Sequence, residues 1–157
     1  MSFSGTYSPE SLAIVLNNYL IKPKDFASDS IVSIAQNSKN YRQVPGIRGK
    51  STTVHTRDRS GVITLRLMQT SETNEILTKI AQDDNINMTG LLTVTIKDNS
   101  GQSVYQFLNC RLEGQPDVDY FGGQTSARTW RIFYDRQVDF YVGGNKVPPL
   151  DILAGLF

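Results

Sequence analysis

The stretch Gly46-Ile-Arg-Gly49-Lys50-Ser51 ends as a phosphate-binding loop ends, with glycine, lysine and a hydroxyl in succession. A loop that wraps phosphates in backbone amides needs the G-x-x-x-x-G spacing, and Val44 stands where the first glycine belongs. Nucleotide binding is therefore not expected. His55 is the sole histidine and Cys110 the sole cysteine, so neither a zinc site nor an intrachain disulfide can be assembled from them. Asp83-Asp84-Asn85 lacks the alternating ligands and closing Glu of a calcium loop and reads as a helix-ending turn. Nucleophilic catalysis would need His55 as its base, and strand spacing places that residue opposite Leu65 in a hairpin. Asp117 and Asp119, two residues apart in a Gly- and Pro-rich stretch, keep a loop solvated more readily than they share a proton. The residue types support neither an enzyme nor a cofactor.

One local charge feature remains. Arg42, Arg48, Lys50, Arg57 and Arg59 crowd into 37–60 with Asp58 alone opposing them. Beside Tyr41 they could hold phosphates and stack a base. They could equally meet an acidic patch on a neighbouring copy, for which the loop of Asp117, Asp119, Tyr120 and Phe121 is the available complement. With 16 basic and 15 acidic residues the whole chain is close to neutral, which favours the protein–protein reading.

These groups are carried by a β-rich pattern. Two hairpins, 52–68 and 90–112, are expected around the turns Asp58-Arg-Ser-Gly61 and Asp98-Asn-Ser-Gly101, each with glycine in the left-handed position. That geometry pairs Arg57 with Ile63 and His55 with Leu65 in the first. It pairs Ile96 with Val104 and Lys97 with Ser103 in the second. A helix capped by Thr70 or Ser71, with Ile76, Leu77, Ile80 and Ala81 as its apolar stripe, lies between them and stops at Asp83. Strands are expected over 11–21, bent at Asn17-Asn18, over 30–36, and over 127–134 and 137–142 with a tight turn at Asp135-Arg136. The stretches 37–50 and 114–126 read as loops. Cys110 falls on the side of Leu108 and Leu112 and reads as a small buried hydrophobe.

The sum is mainly β, an antiparallel β-sandwich or barrel of about eight strands with one flanking α-helix. One domain over 1–157 is expected, with an N-terminal arm at 1–10 and an apolar tail at 148–157 that must pack on the body or on a neighbour. The start has no basic region followed by an apolar run, and no segment approaches the ~20 apolar residues of a membrane span. A soluble protein made in the cytoplasm is expected.

The order of strands, basic loop, DxSG hairpin, capped helix, DxSG hairpin and terminal strands resembles the tail tube protein of contractile-tailed bacteriophages. The stretches SGTYSPESLAIVLNNYLI and DNSGQSVYQFLNCRLEGQPDVDYFGGQTSARTWRIFY are similar to that family of small phage structural proteins. The resemblance implies hexameric rings stacked into the inner tail tube, a passive conduit for genome ejection. Implied partners are the sheath, tape-measure and baseplate or initiator proteins, with non-specific transit of double-stranded DNA, in a virion tail assembled in the host cytoplasm. The channel face would carry Thr56, Thr64, Arg66, Thr93, Thr95, Lys97, Ser103 and Tyr105. Such channels are expected to be acidic, whereas these rows are neutral to slightly basic. The inter-subunit loops would carry Tyr41, Arg42, Arg48, Lys50, Asp117, Asp119, Tyr120 and Phe121, with Asp58, Gly61, Asp98 and Gly101 at the hairpin turns. The alternatives are a tube component of a tailocin or bacterial contractile secretion apparatus, or a monomeric β-sandwich binding carbohydrate or single-stranded nucleic acid.

Overall fold

The computed structural model describes residues 7–21, 26, 27 and 31–143, with backbone alone at 138 and 139. The 148–157 tail and the start of the N-terminal arm lie outside the described residues. Within the described residues nine strands and one α-helix run in the order β1 Leu12–Leu16, β2 Tyr19–Leu20, β3 Val32–Gln36, β4 Tyr41–Pro45, β5 Ser51–His55, β6 Gly61–Leu67, α1 Thr73–Asn87, β7 Leu92–Asp98, β8 Val104–Leu112 and β9 Arg128–Tyr141. Seven strands form one antiparallel sheet in the order β2-β1-β7-β8-β9-β6-β3, and β4 with β5 forms a separate two-stranded ribbon. The expected fold class holds: mainly β, antiparallel, with one helix at the sheet.

Side-chain alternation explains the sheet. In β6, Ile63 and Leu65 face inward between Val62, Thr64 and Arg66, and in β7 Leu92, Val94 and Ile96 alternate with Thr93, Thr95 and Lys97. The inward residues join Phe107, Cys110, Trp130, Ile132 and Tyr134 in one buried cluster. Leu77 of α1 reaches the same cluster at 0% exposure, flanked by half-buried Ile80 and Ala81. Trp130 Nε1 donates to Asn74 Oδ1 at 2.9 Å, which fixes the helix against the sheet.

The first expected hairpin does not form. β5 pairs with β4, Tyr41 opposite His55, while β6 lies between β3 and β9. The cause is composition: Ser-Thr-Thr-Val-His offers no apolar face to bury, whereas β9 brings Trp130, Ile132 and Tyr134 to β6. Residues 37–50 are thus not all loop, since they contain β4. The second hairpin forms with its register one residue away from expectation, Lys97 opposite Val104 and Ile96 opposite Tyr105.

Both DxSG segments nevertheless adopt one local motif. Ser60 N and Oγ donate to Asp58 Oδ1 at 3.0 and 2.6 Å, and Ser100 N and Oγ donate to Asp98 Oδ1 at the same distances. Among the described glycines only Gly49 and Gly114 take positive φ, so neither Gly61 nor Gly101 is the left-handed residue expected. Instead Gly101 N closes on Asp98 O and Asp98 N pairs with Ser103 O, which adds Gln102 to the loop and moves the register. Gly61 is needed for space: a Cβ there would collide with Tyr134 Oη and Ala35 O.

Three further boundaries differ. The helix continues through Asp83-Asp84-Asn85 and stops at left-handed Met88, φ 55°, because the Asp84 carboxylate is held by Arg111 and by Gly90 N. It starts without a side-chain cap, Ser71 Oγ accepting from Thr73 N just outside it. β9 runs unbroken through Asp135-Arg136, since β8 accompanies it along the same length. Asn17, φ 53°, does bend the first strand into β1 and β2. Asn109, φ 54°, kinks β8, so Cys110 is buried with Leu112 while Leu108 turns outward.

Burial pushes the Cys110 thiol up to about 11, where an unfolded chain would ionise near 9.0. The raised value favours the fold below pH 9, and that contribution is lost as pH rises from 9 towards 11. The native protein should therefore resist thiol-reactive dyes at pH 8 and react fully in guanidinium; equal reaction rates in both would contradict the burial. Gly61→Ala should destabilise by about 1–3 kcal/mol in urea unfolding through overpacking. Gly122→Ala, at an open position, should change stability by under about 0.5 kcal/mol.

Candidate functional site

The residues available for contact collect in three places. The first is the β4–β5 ribbon. From Tyr41 to Thr53 every residue is exposed, and at its tip Ile47 is 106% exposed. Gly46 N bonds Lys50 O at 2.6 Å and Gly49, φ +83°, turns the chain, so the glycines of the apparent phosphate loop build a hairpin end. Arg42, Arg48 and Lys50 flank Val44 and Ile47 along the chain, and all five are exposed.

The base of this ribbon is braced. Arg59 Nη1 donates to Asn40 Oδ1 at 3.1 Å and to Thr56 O at 2.9 Å, and its Nη2 lies 3.3 Å from His55 Nε2. Thr56 N donates to Asn40 O at 2.7 Å, and the Tyr41 and His55 rings stand 4.9 Å apart. Arg59 is therefore occupied within the chain and does not belong to the free basic cluster. His55 faces Tyr41 and not Leu65. Asp58, on the same connection, has its carboxyl held below the ordinary value by the Ser60 hydroxyl and amide.

The second place is the stretch 113–121. Asp117 and Asp119 are exposed, as are Tyr120 at 77% and Phe121 at 54%. Buried Arg128 holds this loop in shape: its guanidinium lies 4.8 Å from the Tyr120 ring centre and donates to Asp119 O and Ser126 O at 3.2 Å. Beneath the loop a cavity of about 760 Å³ opens between α1 and Leu112, Pro116, Val118 and Trp130. Among the described residues no ion pair joins Arg42, Arg48 or Lys50 to Asp117 or Asp119. Basic ribbon and acidic loop are not brought together within one chain.

The third place is the outer face of the sheet, and here the expected channel face divides. Thr64, Arg66, Thr93, Thr95 and Lys97 lie on it. Ser103 and Tyr105 do not: with the shifted register they point inward, Ser103 at 9% exposure and Tyr105 packed on the core. Thr56 lies in the connection between ribbon and sheet, off both. The face gains Val104, which the expected register had paired with Ile96 on the apolar face, in the row Ala13–Lys97–Val104, and a further row runs Ser33–Thr64–Arg131. The alternation of Leu92, Val94 and Ile96 assigns the β7 face from sequence; the partner strand's face depended on the turn. The Thr, Ser and Gln side chains with scattered guanidinium groups can make a wetted wall. Among the described residues no group of three His, Cys, Asp or Glu could hold a metal ion.

No protein-family model matches the chain. It is 30% identical over 152 residues to the structural protein ORF10 of Pseudomonas phage KPP10, covering 93% of this chain and 87% of that one. Among solved structures, a chain of the anti-feeding prophage cap, the AFP tube terminating cap, matches with a TM-score of 0.57 and 12% identity over 90% of this chain and 95% of that one. A chain of the sheath-tube complex of the extracellular contractile injection system PVC, in its extended state, gives 0.57 and 15% identity over 87% and 92%. At such identities these two matches are matches of fold.

Because Arg59 braces the ribbon, Arg59→Ala should accelerate amide exchange across 41–55 by at least about fivefold while leaving β6 and β9 unchanged. Exchange in the ribbon that does not respond would contradict the brace.

Proposed function

The chain belongs to the family of phage structural proteins that includes ORF10 of Pseudomonas phage KPP10, and on that footing we propose that it is a tail tube subunit. Copies would close into hexameric rings and stack into the inner tube of a contractile tail, a passive conduit for the genome. The observation that carries this reading is the β4–β5 ribbon. Two strands alone are marginal in water, and this pair exposes both faces and an apolar tip. A neighbouring copy that received Val44 and Ile47 would bury them, and the acidic loop with Asp117 and Asp119 would face Arg42, Arg48 and Lys50.

The sheet edges support the same reading. Among the described strands β2 pairs with β1 alone, and β3 with β6 alone. Open edges at both ends of a sheet let identical sheets continue one another round a ring. The outer face with Thr64, Arg66, Thr93, Thr95 and Lys97 would then line the channel, offering DNA hydroxyl groups and cations without base-reading elements. Sheath, tape-measure and initiator proteins are the partners this position requires, and the virion tail, assembled in the host cytoplasm, is the location.

A second reading has its own support, since one of the fold matches is to a chain of a tube terminating cap. A terminator would form one ring and stop, whereas a tube subunit would stack without limit. Electron microscopy of the purified chain separates them: filaments of uniform width and varied length favour the tube, and single rings favour the terminator. A protein that stays monomeric at high concentration, even with accessory tail proteins, would contradict both. In the tube reading Ile47→Asp combined with Arg48→Glu should raise the concentration needed for assembly at least about tenfold with an unchanged circular dichroism spectrum. Tubes of ordinary abundance from that variant would remove the ribbon from the interface.

A further inference from the structure

Two features that the fold holds apart match each other. At the turn of the β4–β5 ribbon, where Gly49 N donates to Gly46 O at 3.2 Å, Ile47 stands fully exposed, with exposed Arg48 and Lys50 beside it. The complement lies between α1 and the 113–121 loop. Buried Leu112 and Trp130 and half-buried Ala81 and Pro116 line the cavity of about 760 Å³ there, together with Val118. Glu113, Asp117 and Asp119 are exposed along the same loop, whereas the nearby cations are engaged. Arg111 pairs with Asp84, and Arg128 is held by the Tyr120 ring and by two carbonyl groups. The cleft is therefore apolar within and acidic at its loop.

We propose that the ribbon turn of one copy seats in this cleft of the next, with Ile47 in the apolar lining and Arg48 and Lys50 against Glu113, Asp117 and Asp119. The seat rests on the copy-to-copy assembly proposed above and names its receptor. Pro116 and Val118 line the cleft while Asp117 and Asp119 do not, so the loop turns apolar groups inward and carboxylates outward. A turn lodged there brings its long basic side chains over the loop to those carboxylates. Gln82, Asn85 and Gln115 complete the lining with amide groups that can bond the peptide groups of the turn. The contact is heterologous. The ribbon joins the sheet just before Gly61 at one end of β6, and Gln69, just past the other end at Leu67, lines the cleft. About 20 Å of strand separate the two surfaces. Docking thus passes from copy to copy, the geometry of a ring or an open stack.

In the full chain, Ile47→Cys combined with Val118→Cys puts one thiol on each surface, while Cys110 is buried. Oxidised at an assembling concentration and separated without reductant, the double variant should give a ladder of three and more linked chains, whereas either single variant should stop at two. No ladder, or one that ends at dimers, would overturn the seat. Electron microscopy of the same sample tells the two readings apart. Rings or tubes without a ladder overturn the cleft as receptor and leave the assembly reading standing; a monomer without a ladder overturns both. Charge exchange gives a second measurement that needs no new thiol. Asp117→Arg with Asp119→Arg should raise the concentration needed for assembly at least about tenfold, and adding Arg48→Asp and Lys50→Asp should bring it back to within about threefold of the parent. Assembly that the second pair of changes fails to restore would overturn the proposal.

Discussion

A strand pair can satisfy its backbone and still have nowhere to put its side chains. The β4–β5 ribbon is in that position, with its ladder complete from Tyr41:His55 to Pro45:Ser51 and Val44 and Ile47 facing water. The remaining architecture is arranged around it. The seven-stranded sheet takes every strand with an apolar face, and Ser51–His55, which has none, is turned away from β6 and held at arm's length by Arg59. The same composition that bars the ribbon from the core leaves it exposed, as the proposed contact with other copies requires. Its cations have no carboxylate partner among the described residues of their own chain, and the acidic loop stands apart from them.

The two DxSG segments show how local chemistry and long-range pairing separate. Asp58 with Ser60 and Asp98 with Ser100 make identical hydrogen bonds, yet one segment closes a hairpin and the other carries the chain from one sheet to another. A turn motif fixes a few dihedral angles and leaves the partner of the following strand to burial. That is why the β-rich class, the helix stripe at Leu77 and the inner face of β7 were legible in the residues, while the partner of β6 was not. β9 wins that place with Trp130, Ile132 and Tyr134, residues more than sixty positions away from it, and no local pattern reports such a contest.

Of the proposed contact surface, the exposed cations, the acidic loop and the aromatic pair Tyr120 and Phe121 were legible by residue type. The strand inside 37–50 was not, because Pro45, Gly46 and Gly49 read as loop, although they form the tip of the ribbon. The sheet face proposed for the channel was half legible. One residue of register moves a whole strand to the opposite face, and the addition of Gln102 to the turn sent Ser103 and Tyr105 inward. Arg59 shows the reverse: counted among free charges by type, it is a structural brace by geometry.

The central claim is that the ribbon of 41–55 is completed by other copies of the chain. Amide hydrogen exchange, measured peptide by peptide on monomer and on assembled particles, tests this directly. Rapid exchange across 41–55 in the monomer and slowing by at least about a hundredfold on assembly is the predicted result, with β6 and β9 slow in both. A ribbon that exchanges at the same rate in both states would contradict it.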